Sequence, residues 1–143
     1  MINPKRNKIS PENLKKMMDE GKGPVVIDVL PEYYFNQKHL PNAENICVYE
    51  VVFIDKVKEL VPDTSKMVVV YGQNENYLAA ASACTKLAKA GYRNVYELEG
   101  GIEGWENADL PIYTANEFTL GDYLEQDLDQ GKTNVKVSTG DSR

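Results

Sequence analysis

Apolar positions along the chain follow two alternating rhythms. Short, unbroken runs rich in β-branched residues occur at Val25, Val26, Ile27 and Val29, at Val68, Val69 and Val70, and in "NVYEL" around Val95. Such runs predict strands buried on both faces, the signature of a parallel sheet. Between them the apolar residues fall at helical spacing. Leu14, Met17 and Met18 follow Ser10-Pro11-Glu12, in which Ser10 can cap, Pro11 suits the first helical position and Glu12 suits the positive end of the dipole. Phe53, Ile54, Val57, Leu60 and Val61 mark a second helical face within "EVVFIDKVKELV", ended by Pro62. A third helix is predicted in "YLAAASACTKLAKAGY", closed near Gly91. A short one is predicted over residues 31–38, where Tyr33, Tyr34 and Phe35 are expected to pack. A turn at Pro41 and Asn42 then leads to a short strand expected at Ile46–Val48.

Strands alternating with helices at this spacing predict βαβ units joined by right-handed crossovers. The fold class is therefore α/β with a mostly parallel sheet. In such sheets the carboxyl ends of the strands face the ligand crevice. Asp28 interrupts its apolar run close to that end, so it is either a functional residue or a cap for the following turn. After Pro111 the pattern changes. Thr119 can cap a helix over about 119–129 in which Leu120, Tyr123, Leu124 and Leu128 share a face and Asp122, Glu125, Asp127 and Asp129 make it acidic. The tail from about residue 131 is expected to be flexible. This divides the chain into a folded domain, 1–113, and an acidic extension, 114–143, which could pack on its own domain, bridge a homodimer or dock on a basic partner.

A length of 143 residues with a formal net charge of -6 fits one folded core and argues against a nucleic-acid or anionic-membrane surface. Lys5, Arg6 and Lys8 gather at the amino end, too few to change that balance. No window approaches the roughly 20 apolar residues of a membrane span, and "MINPKRNKIS" lacks the apolar run of a leader, so a cytoplasmic protein is the expectation. The two cysteines, Cys47 and Cys84, and the sole histidine, His39, have no metal-ligand spacing, and neither a metal nor another cofactor is expected.

From "KIS" near residue 8 through "VVIDVL", "KHLPNAENI", "KMVVVYG" and "YELEGGIEGW" to "LPIY" at Tyr113, the order and spacing of these pieces resemble a single-domain rhodanese-like protein. The resemblance covers about three quarters of the chain, residues 8–113. It implies a three-layer fold with a parallel sheet of about five strands and helices on both faces. Active members of the family transfer sulfane sulfur through a cysteine persulfide. Gly100, Gly101 and Trp105 match the family closely and are expected to be architectural. His39 falls in a segment that usually reads Gly-His-Ile-Pro-Gly-Ala and is expected to be structural.

The family's chemistry resides in the loop after the "VVVY" strand, usually Cys-x-x-Gly-x-Arg-Ser, where backbone N–H groups at a helix start cradle the anionic persulfide. On that pattern this chain has Gly72 for the cysteine, Glu75 for the glycine, Tyr77 for the arginine and Leu78 for the serine. Upstream, Asp28-Val29-Leu30 replaces a frequent Asp-Val-Arg. Glycine supplies no nucleophile. Losing Arg removes attraction for a thiosulfate-like dianion and Glu75 adds repulsion, an effect of about one to a few kcal/mol.

Two functions remain open on these residues. One is a non-catalytic module that binds a protein partner or small ligand through Gly72, Gln73, Asn74, Glu75, Asn76 and Tyr77, with Asp28 and Leu30 beside them. The other is a sulfurtransferase that uses Cys47 or Cys84 in a non-standard place, although both are expected to be core thiols.

Overall fold

A computed structural model describes residues 7–115. The expected helix over about 119–129, the flexible tail and Lys5 and Arg6 lie outside the described residues.

The long apolar runs form β2 (Val25–Asp28), β5 (Val68–Tyr71) and β6 (Val95–Leu98). Two-residue strands, β1 (Lys8–Ile9) and β4 (Glu44–Asn45), complete a sheet ordered β1-β6-β5-β2-β4. Every neighbouring pair in it is parallel. Pairing of Val26 with Val69 and of Ile27 with Val70 sets the central register. Along β5, Val68 and Val70 face one layer while Val69 and Tyr71 face the other, and all four are fully buried. Burial on both faces explains why these runs are continuous rather than alternating.

One face is covered by α3 (Phe53–Leu60) and α4 (Ala79–Lys89), through Phe53, Val57, Ala83 and Leu87. The other is covered by α1 (Pro11–Asp19) and α5 (Gly101–Asn107), through Leu14, Ile102 and Trp105. Ser10 caps α1 by accepting from the Asn13 N–H at 3.1 Å. Trp105 is fully buried and donates its indole N–H to the Pro111 carbonyl at 2.8 Å, which fastens the chain after α5. A short α2 (Glu32–Gln37) leads into β3 (Lys38–His39), which pairs antiparallel with β7 (Tyr113–Thr114). That two-stranded patch brings the end of the described chain beside α2, where the Ala115 N–H donates to the Gln37 carbonyl.

Two expectations need correction. The strand predicted at Ile46–Val48 lies earlier, at Glu44–Asn45, because the ladder with β2 closes at Asn45. Ile46 and Val48 still donate to the Asp28 and Val29 carbonyls, so the segment stays extended beside β2 without a ladder of its own. In α2, Tyr33 and Tyr34 are exposed rather than packed, at 68% and 51%. Among the described residues, no helix is long and apolar enough to cross a membrane.

Candidate functional site

The parallel sheet places the carboxyl ends of β2 and β5 side by side, Asp28 opposite Tyr71. Gly72 leaves β5 there, and residues 73–78 form the loop before α4. Two loop carbonyls close the start of α5: Gly72 O accepts from the Ile102 N–H at 2.9 Å and Gln73 O from the Glu103 N–H at 3.1 Å. This approach leaves no room at Gly101, where an added Cβ would meet Gly72 O at 2.6 Å, and its φ of 61° already favours glycine.

Most polar side chains of the loop are directed at its own support. Gln73 and Asn74 donate their amides to the two carboxylate oxygens of Glu103, at 2.8 and 3.0 Å. Asn74 also accepts from the Asn76 N–H at 2.8 Å, a local turn. Glu75 accepts from the Gly100 N–H at 3.1 Å and pairs with Lys8 at 3.6 Å. Tyr77 and Leu78 remain outward, 59% and 74% exposed.

A cleft of about 540 Å³ opens beside this loop. Its lining comes from the segment after β2 (Leu30, Pro31, Tyr34, Gln37 and Lys38) and from the loop and the start of α4 (Gln73, Tyr77 and Ala79). Ile102 and Glu103 enter from α5, and Tyr49 stands at the rim. Gly72 adjoins this space, since a Cβ built there would lie 3.5 Å from Ala79 Cβ and 3.9 Å from Leu30 Cδ2.

Of the residues singled out by sequence, the structure thus gathers Leu30, Gln73 and Tyr77 on the cleft with Gly72 next to them. Asn74, Glu75 and Asn76 hold the loop and are not part of the lining. The acidic group that faces the cleft is Glu103, not Glu75. Its carboxyl is held below the usual range by the hydrogen bonds from Gln73 and Asn74, so it stays ionised. Glu103 carried no signal in the sequence except its place in the first turn of the closing helix. Tyr34, Tyr49 and Lys38 likewise reach the cleft only through the fold.

Asp28 is fully buried beneath the cleft and accepts from the Leu30 N–H at 2.9 Å, which shapes the turn that presents Leu30. Burial pushes its carboxyl up to about 6, against the Leu30 N–H, the Tyr71 hydroxyl and His39, which pull the other way. Burial and the Asp28 charge together drive the Tyr71 hydroxyl far upward, so it remains a neutral phenol that accepts from the Leu40 N–H at 3.0 Å. His39 is stacked between Phe35, 3.8 Å between ring centres, and Tyr113, 4.5 Å away, and its Nδ1 lies 2.7 Å from the Phe35 carbonyl. Neither cysteine lines the cleft: Cys84 is buried in α4, and Cys47 is half-buried in the segment after β4. Among the described residues, no group of three or more His, Cys, Asp or Glu is placed to hold a metal ion.

Comparison with known proteins adds a family. Residues 10–108 match the family model described as "Rhodanese-like domain". The chain is 32% identical over 116 residues to "Adenylyltransferase and sulfurtransferase UBA4" of Candida albicans, covering 74% of this chain and 25% of that protein. It therefore spans a quarter of that relative's length. It is 26% identical over 107 residues to "Thiosulfate sulfurtransferase GlpE" of Haemophilus influenzae, covering 75% of this chain and 94% of that protein. Homology to sulfurtransferases such as GlpE is thus present at low identity. Among solved structures, the BH2092 protein of Bacillus halodurans superposes with a TM-score of 0.68 at 23% identity, covering 76% of this chain and 77% of the other. That likeness establishes a shared fold.

Proposed function

The chain belongs to the Rhodanese-like domain family, and we propose that within it the chain is a non-catalytic module that binds a protein segment or small ligand and is linked to sulfur metabolism. The observation that carries this reading is Gly72. It stands at the junction of β5 and the loop, beside an open cleft, at the position we assign to the family's nucleophilic cysteine, and it offers no atom that can attack a sulfur donor. The loop around it is built for support and display rather than anion capture. Gln73, Asn74 and Glu75 brace it against α5, while Tyr77 and Leu78 project outward.

Sulfur transfer through Cys47 or Cys84 is the competing reading. The burial of Cys84 and the absence of both cysteines from the cleft lining weigh against it. The deciding experiment is transfer of sulfur from thiosulfate to cyanide. We expect a rate equal to a protein-free blank and unchanged by alkylating the cysteines. Turnover above the blank that alkylation abolishes would replace this reading with the enzymatic one.

A further inference from the structure

We infer that the cleft receives the cationic side chain of a partner protein, an arginine or lysine whose stem lies along Leu30 and Ile102 and whose head meets Glu103 and the tyrosine rim. The inference rests on the reading that the cleft binds rather than reacts. Its first support is the charge balance of the lining. Glu103 is ionised and fixed in one orientation by two neutral amides, Gln73 and Asn74, which position the charge without neutralising it. The cation of the lining, Lys38, is matched by Glu106 at 2.8 Å. Lys38 also acts on Glu103, so the three charges of Lys38, Glu103 and Glu106 together leave one net negative charge beside the cleft, within a chain of net charge -6 that attracts cations at long range.

The second support is the rim. Tyr34, Tyr49 and Tyr77 border the same cleft and are 51%, 65% and 59% exposed. Aromatic faces carry negative electrostatic potential and attract guanidinium and ammonium groups. Leu30, half-buried, lines the same cleft beside the nearly enclosed Ile102 and offers apolar surface of the kind that the methylene stem of Arg or Lys covers. A thiosulfate-like anion would meet Glu103 instead and gain nothing from the rings.

The test is an NMR titration of the intact chain at low salt with N-acetyl-arginine amide, its neutral citrulline counterpart and thiosulfate. We expect the arginine probe to shift the signals of Gln73, Tyr77 and Ile102, with the citrulline probe about tenfold weaker, since only one carries the charge. Glu103→Gln should erase that difference while keeping an acceptor for one of the two loop amides. Tyr77→Ala, a substitution at an exposed position, should weaken the arginine probe in a chain that folds normally. Equal binding of the citrulline probe overturns the cation assignment and leaves a binding module in place. Thiosulfate binding more tightly than arginine, or no shift with any probe, also overturns it. Sulfur turnover by the unmodified chain overturns both readings.

Discussion

Gly101 and Gly72 approach each other where α5 meets the end of β5, yet their surroundings differ. A Cβ at Gly101 would press on Gly72 O at 2.6 Å and on the Gln73 carbonyl at 2.7 Å, both backbone. A Cβ at Gly72 would find Ala79 Cβ at 3.5 Å and Ala80 N at 3.6 Å, ordinary contacts. Packing dictates the first glycine and leaves the second free to carry a side chain. Backbone packing at 72 thus leaves room for a Cβ and does not itself require glycine. Gly101 is architecture, whereas Gly72 stands where the cleft could carry a side chain of its own.

The hardest test of that contrast is Gly101→Ala. Overpacking against fixed carbonyls, added to a left-handed backbone, should remove about 3–5 kcal/mol in urea unfolding. A loss under about 1 kcal/mol would show that α5 and the loop are not rigidly joined. The next effect comes from Asp28, beneath the same junction. Its carboxyl is raised from 3.8 to about 6, so between those values the folded chain binds more protons than the unfolded one. Its contribution is therefore most favourable below about 4 and declines as pH rises through about 6. Asp28→Asn keeps an acceptor for the Leu30 N–H and removes the charge. Its stability relative to the parent should rise by about 2–3 kcal/mol between pH 4 and 7. A constant difference across that window would mean that Asp28 is not desolvated.

Smaller effects belong to the loop. Gly72→Ala should stabilise by about 0.4–1 kcal/mol, because an ordinary backbone conformation with room for a methyl gains from a stiffer unfolded chain. Destabilisation there would erase the contrast with Gly101. Tyr77→Ala should alter stability by less than about 0.5 kcal/mol, as expected of an exposed side chain, so that any loss of binding is read as loss of contact.

How much of this was legible in the sequence follows from range. The strands of β2, β5 and β6 and the capped start of α1 are local signals, and they lie where the apolar rhythm and Ser10 place them. The two-residue strands β1, β3 and β7 carry no rhythm at all, since their pairing partners are dozens of residues away. The short strand near residue 45 was displaced for a related reason: its ladder depends on where β2 ends, not on the β-branched Ile46 and Val48. In the site, Gly72, Gln73 and Tyr77 could be named because a loop between strand and helix is a local object, and Leu30 through the family resemblance alone. The roles of Glu75 and Glu103 could not. Glu75 is turned toward Gly100 and Lys8, and Glu103 is drawn to the loop by Gln73 and Asn74, contacts that only the assembled sheet creates.

The account centres on a retained cleft without a reactive sulfur beside it. Incubation of the unmodified chain with thiosulfate, followed by intact-mass spectrometry under non-reducing conditions, tests this most directly, with Gly72→Cys as the comparator that places a thiol at the junction. The account predicts no sulfur added to the unmodified chain. A persulfide found on the unmodified chain and mapped to Cys47 or Cys84 would contradict it.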